Sequence, residues 1–152
     1  ERHFHEQGRL TQVLDGDNIR HGINRDLGFS LEDREENIRR ISEIAKLSRN
    51  LGVITIASFI TPTNALRSIA QDIIGTDLLQ VYIKASYEAC EERDVKGLYA
   101  KAKSGEVKQF TGKDSLFEEP DNADLILDTE TLSIEEATQQ LIDVVSPRIA
   151  HS

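Results

Sequence analysis

Methionine is absent from this chain, even at position 1, where Glu1 stands, and cysteine occurs once, as Cys90. A lone thiol forms no intramolecular disulfide, and no cysteine–histidine spacing matches a zinc site, so a reducing, cytosolic setting fits best. No apolar run approaches the roughly 18 residues of a membrane span, and no signal peptide is visible. Proline occurs three times and glycine nine times, with no Pro/Gly/Ser-rich linker and no internal repeat. Basic charge is scarce as well: 18 Lys and Arg face 27 Asp and Glu, a formal net charge of −9. Such a balance argues against a general nucleic-acid binder or a binder of anionic membranes. The deficit is local, however. Residues 1–113 hold 17 basic and 17 acidic side chains, 114–146 hold ten acidic and none basic, and Arg148 adds one cation. The neutral majority can therefore hold a small anion with locally supplied cations. At 152 residues the chain matches one domain spanning 1–152. A domain of that size buries about 68 to 70% of its unfolded surface and needs no staple for stability.

What is present is an alternation of short apolar runs with longer amphipathic segments. The runs are Leu10 to Leu14, Val53 to Phe59, Leu79 to Ile83 and Leu125 to Leu127. They are apolar nearly throughout, as parallel strands covered on both faces would be. Between them, Ser30 with Asp33 marks a helix start, Ile38, Ile41, Ile44, Ala45 and Leu51 keep helical spacing, and Gly52 stands at the stop, predicting a helix over 31–50. A second helix is expected to start near Thr61-Pro62-Thr63 with the proline in its first turn and to end at Gly75. A third follows Ser86 and stops before Asp94, and a last runs from about Ser133 to Ser146, halted by Pro147. This order predicts an α/β fold with a parallel sheet flanked by helices and right-handed crossovers. The stretch 94–120 fits neither a strand nor a buried helix. It has Gly97, Gly105 and Gly112, five lysines, and a short helix expected near Leu98 to Lys103; it reads as a mobile lid or binding segment.

Four groups carry chemistry. The densest is Leu14-Asp15-Gly16-Asp17-Asn18-Ile19-Arg20-His21-Gly22, placed where the first strand ends, the position at which open α/β sheets bind ligands. Its carboxylates and arginine can position a hydroxyl nucleophile, order magnesium-bound water and hold an anion. Equally, Asp15 or Asp17 can simply cap the next helix. In the second group, Arg34 and Asn37 share a face at a helix start and can join the helix dipole in holding an anion. Glu35 with Arg39 and Glu36 with Arg40 read as i,i+4 pairs that solvate an exposed face. In the third group, Phe59-Ile60-Thr61-Pro62, the Thr61 hydroxyl either meets a ligand or caps the helix that follows. The fourth is the basic segment, where Lys96 follows Asp94-Val95 and Phe110 sits between Gln109 and Thr111; Phe110 either stacks on a base or folds back into the core.

The strings LDGDNIRHGINRDLGF, DREENIRR, SFITP, DVKGLYAKAKSGEVKQFTG and FEEP, in that order from about Gln12 onward, closely resemble the adenylylsulfate kinases. The resemblance implies a fold similar to P-loop nucleoside-monophosphate kinases and transfer of the γ-phosphoryl group of MgATP to the 3′-hydroxyl of adenylylsulfate in sulfate assimilation. It implies that Asp15 orients or deprotonates that hydroxyl and helps organise Mg2+ indirectly. It places Asp17, Asn18, Ile19 and Arg20 along the adenylylsulfate site, with Arg20, Arg34 and Asn37 on the phosphosulfate. Phe29 and Phe110 match the two aromatics that sandwich the adenine, Ile60 and Thr61 lie beside it, Gln109 adjoins Phe110 in the substrate site, and Lys96 matches a lid lysine. Many bacterial members carry serine at the position of Thr61, in some a phosphoenzyme site; a direct in-line transfer needs no such intermediate.

The family also carries a first strand and a Gly-x-x-Gly-x-Gly-Lys-Ser/Thr loop ahead of these strings, and nothing in this chain matches them. Residues Glu1 to Gly8 read as the end of the helix that follows that loop, so an incomplete front to a normal enzyme is the expectation. The resemblance further implies a homodimer and leaves room for fusion to, or association with, ATP sulfurylase. A kinase-like module that binds 3′-phosphoadenylylsulfate or adenylylsulfate without catalysis is the alternative, marked by a degenerate phosphate loop.

Overall fold

Leu14 is where the fold and the site meet. In a computed structural model, which describes residues 1–104 and 116–149, this leucine is 3% exposed and packs against Ile41 and Ala45, edged by Ile19, Ile44, Phe59 and Ile74. Burying a leucine contributes about 1.5 to 3 kcal/mol, which anchors the residue immediately before Asp15. The chain divides into two compact units, Glu1–Leu78 and Leu79–Ser152.

In the first unit a short helix α1 (Arg2–Glu6) precedes strand β1 (Thr11–Asp15), helix α2 (Gly16–His21), helix α3 (Leu31–Asn50), strand β2 (Ile54–Ser58), helix α4 (Asn64–Ile74) and a 3-10 turn at Gly75–Asp77. β1 and β2 pair in parallel from Thr11 opposite Ile54 to Asp15 opposite Ser58, so their carboxyl ends lie level. The long helix has the expected bounds for the expected reasons. Ser30 accepts the Asp33 N–H on its Oγ at 3.1 Å, Ile38, Ile41 and Ala45 form the buried stripe, and Gly52 takes a left-handed φ of 77° just past the end.

The second unit pairs β3 (Val81–Lys84) in parallel with β4 (Leu125–Asp128). Helix α5 (Tyr87–Arg93) is capped by Ser86, whose Oγ accepts the Ala89 N–H at 3.2 Å. Asp94 ends α5, and its carboxylate then accepts the N–H groups of Tyr99 and Ala100, both at 3.1 Å, opening α6 (Leu98–Lys103) where a short helix was expected. Residues 105–115, the middle of the expected lid, lie outside the described residues.

Three expectations need correction. The strands are not covered on both faces: Leu14 and Leu127 are 3% exposed, but Val13, Ile83 and Ile126 are 41%, 58% and 53% exposed. Side chains alternate across a strand, and in the first unit α3 supplies the cover for the Leu14 face. Helix α4 begins at Asn64 rather than at Pro62, because Thr63 in extended conformation accepts the Leu66 N–H and serves as its cap. Pro147 does not halt the final helix α7 (Ile134–Ile149). It falls in the last turn, where one lost N–H is tolerable, and the preceding Ser146 Oγ bonds the Ile142 carbonyl at 2.7 Å.

Candidate active site

Asp15 closes β1 and caps α2. Its Oδ1 accepts the backbone N–H groups of Asp17 at 3.0 Å and Asn18 at 3.3 Å, holding the carboxylate at the strand's carboxyl end. The capping expectation is therefore met, and Oδ2 remains for a ligand. Gly16 is needed beside it: a Cβ there would lie 3.3 Å from the Phe59 ring and 3.4 Å from the Ser58 carbonyl oxygen of β2. A side chain there would press on the Phe59 ring, so glycine lets α2 start this close to the neighbouring strand without displacing it.

Arg20, on the last turn of α2, converges with Phe29 and Arg34. Its guanidinium donates to the carbonyls of Gly28 at 2.8 Å and Leu27 at 3.4 Å and lies 4.4 Å from the centroid of the Phe29 ring. Arg34, on the first turn of α3, donates from Nε to the Phe29 carbonyl at 3.1 Å, with its guanidinium 5.8 Å from the same ring. Partial burial lowers the Arg20 pKa, Arg34 lowers it further, and Asp33 opposes both. Two cations held this near each other over an aromatic ring form a receptor for an anion carrying a flat group. Asn37 is buried, and its Oδ1 accepts from Nδ2 of the fully buried Asn24 at 2.9 Å. That leaves Nδ2 of Asn37 to donate.

Glu36 and Arg40 form the expected i,i+4 pair at 2.7 Å, but Arg40 does more than solvate a face, with only 27% of its side chain exposed. Glu36 pairs with both Arg39 and Arg40, while the Arg40 fork also reaches Asp26, 14 residues away, at 2.8 and 2.9 Å. Arg39 pairs with Glu36 at i,i+3 rather than with Glu35. Asn24, Asp26 and Arg40 were thus missed as a framework behind the site. The spacing that joins them follows no helix or strand period, so periodicity does not reveal it.

Of the other candidate residues, Asp17 and Asn18 lie exposed on α2, and the Ile19 side chain packs against the Leu14 core. Ile60 is 67% exposed after β2, and Thr61 is half-buried with the capping role taken by Thr63. Lys96 is exposed on the turn between α5 and α6 in the second unit. Gln109 and Phe110 lie outside the described residues.

A carboxylate at the end of a parallel strand, followed by a helix whose arginine joins a second guanidinium around an aromatic ring, suits an α/β phosphotransferase with an anionic acceptor. Comparison with known proteins narrows the class. The adenylylsulphate kinase family model matches residues 1–128, and the chain belongs to that family. It is 53% identical over 150 residues to the adenylyl-sulfate kinase of Bacteroides thetaiotaomicron, covering 98% of this chain and 75% of that one. Against the adenylyl-sulfate kinase of Phocaeicola vulgatus it is 55% identical over 148 residues, covering 97% and 72%. Among solved structures, the Mycobacterium tuberculosis APS kinase CysC in complex with AMPPNP and APS superposes with a TM-score of 0.92 at 44% identity, covering 96% of this chain and 86% of that chain.

Proposed function

We propose that this protein is an adenylylsulfate kinase whose described site receives the phosphoryl acceptor. The observation that carries the reading is the pair of guanidiniums, Arg20 and Arg34, gathered around Phe29 in a chain of this family. The phosphosulfate would lie against the arginines and the Asn37 amide. Phe29 keeps 58% of its surface exposed, so an adenine can stack on it, an interaction worth about 1 to 3 kcal/mol per base in nucleic-acid binders.

Asp15 then does the proton work. As the 3′-oxygen of adenylylsulfate bonds to the γ-phosphorus, the bond from that phosphorus to the β–γ bridging oxygen breaks, ADP leaves, and the 3′-hydroxyl proton passes to Asp15 Oδ2. Oδ1 stays committed to the α2 amides, which keeps the carboxylate aimed while the proton moves. No covalent intermediate on Thr61 is required.

Mg2+ is part of the proposal. Among the described residues no group of three or more His, Cys, Asp or Glu side chains can hold a metal directly. The donor set instead fits an ion carried on the nucleotide's phosphates, with Asp15 Oδ2 holding one of its waters. When bound, it would neutralise charge on the transferring phosphoryl group. Lys96, Gln109 and Phe110 are proposed as adenylylsulfate contacts on the family resemblance, as are pairing of two copies, association with ATP sulfurylase and a cytoplasmic setting. Among the described residues, no helix is long and apolar enough to cross a membrane.

The test is ADP release by the full-length protein from ATP, with and without adenylylsulfate. Release that depends on adenylylsulfate supports the assignment, and none in its presence overturns it.

A further inference from the structure

We infer that Arg40 is a positioning residue for adenylylsulfate, acting by bolting the 23–28 loop to helix α3. Its guanidinium donates to both carboxylate oxygens of Asp26, to the Ile23 carbonyl at 3.3 Å and to Asn24 Oδ1 at 3.5 Å, while its Nε donates to Glu36 at 2.7 Å. The loop held in this way is the one that holds the anion cluster. The Leu27 N–H bonds the Asn24 carbonyl at 3.1 Å, and the carbonyls of Leu27 and Gly28 receive the Arg20 guanidinium. Phe29 follows at once and stands under Arg20. Five acceptor contacts converge on one planar fork with 27% of its side chain exposed, a geometry that an ammonium group cannot reproduce.

Arg39 is the built-in control. It sits one residue earlier on the same helix, carries the same charge and pairs with the same Glu36, but half of its side chain is exposed and it does not reach the loop. A role in helix charge or stability would belong to both arginines. A role in placing Arg20 and Phe29 belongs to Arg40 alone.

If loss of the bolt leaves the loop in its binding position about a tenth of the time, the apparent dissociation constant for adenylylsulfate rises about tenfold. The experiment is calorimetric titration of adenylylsulfate, and separately of ATP, into the full-length wild-type protein and the variants R40M, R40K, D26N and R39M, with amide hydrogen exchange of residues 22–29. R40M is expected to bind adenylylsulfate about tenfold more weakly, and R40K to remain within about threefold of R40M. D26N should weaken binding at least about threefold, and R39M should stay within about twofold of wild type, with ATP affinity unmoved throughout. Exchange in the loop should accelerate in R40M while the α3 amides keep their protection. D26N carries the same prediction if R40M does not fold.

Adenylylsulfate affinity within about twofold of wild type in R40M, or in D26N where R40M is unfolded, overturns the inference. So does equal weakening for ATP and adenylylsulfate with faster exchange along all of α3, because that is general destabilisation. The inference rests on the assignment of Arg20 and Phe29 to adenylylsulfate, and the two can fail separately. A wild-type protein that binds adenylylsulfate without phosphorylating it overturns the kinase reading and leaves the titration decisive. One that does not bind adenylylsulfate overturns both.

Discussion

Replacing Asp15 separates two roles that one carboxylate combines. Oδ1 caps α2 through the N–H groups of Asp17 and Asn18, and Oδ2 is the proposed proton acceptor. In Asp15→Ala both roles vanish. The lost cap costs about 0.5 to 2 kcal/mol. At about 2 to 4 °C per kcal/mol for a chain of this size, the thermal unfolding midpoint falls by about 1 to 8 °C. Loss of a general base costs about 10²- to 10⁴-fold in turnover on top of that. Asp15→Asn keeps an acceptor for the cap, since asparagine is among the best capping residues, but no longer takes a proton. The expected pattern is a nearly unmoved unfolding midpoint with turnover reduced about as much as in Asp15→Ala. Initial rates of ADP release at saturating ATP and adenylylsulfate, measured beside thermal unfolding, check both halves. An Asp15→Asn enzyme that keeps more than about a tenth of the wild-type rate would refute the proton role.

Arg20→Lys keeps the charge and loses the fork that spans the Leu27 and Gly28 carbonyls. Adenylylsulfate affinity by calorimetry should weaken about tenfold with ATP affinity unchanged, and an equal loss for both ligands would contradict the placement. Gly16→Ala places a Cβ 3.3 Å from the Phe59 ring, which must give by a few tenths of an ångström while itself packed against the Leu14 core. A stability loss of about 1 to 3 kcal/mol in denaturant unfolding is expected, and an unchanged midpoint would show that the Phe59 ring gives way freely. Acid should loosen the Arg40 network. Hydrogen bonds from Arg39 and then Arg40 hold the Glu36 carboxyl at about 2 against an ordinary 4.5, and Arg40 likewise holds Asp26 low. A pKa lowered by folding gives stability that is complete above the ordinary value and lost as pH falls toward about 2. Wild type should therefore lose more of its unfolding midpoint than Glu36→Gln between pH 4.5 and 2, and parallel curves would deny the pair any role.

Much of this was legible where signals are local. The Ser30 cap and the isoleucine stripe gave α3 its ends, and the contiguous Asp15 to Arg20 string marked the strand-end site before any geometry was known. Helix α2 was legible only through its Asp15 cap, because six residues hold too little of a 3.6-residue period to show its length. Thr61 and Thr63 flank one proline, and composition alone does not say which hydroxyl reaches an N–H three residues on. Arg40 was read only in part because its helical neighbour Glu36 is visible in the sequence and its loop partner Asp26 is not. The meeting of Arg20, Phe29 and Arg34 likewise depends on how the 22–29 loop turns back, which the pinned Asn24–Asn37 pair decides only in the folded chain.

The central claim is the identity of the acceptor, and one measurement addresses it directly: the full-length protein is incubated with γ-labelled ATP, Mg2+ and adenylylsulfate, and the products are separated. Label recovered on the 3′-position as 3′-phosphoadenylylsulfate, one for each ADP released and none without adenylylsulfate, is the predicted result. Tight binding of adenylylsulfate with no label transferred would contradict it and leave a binding module in place of a kinase.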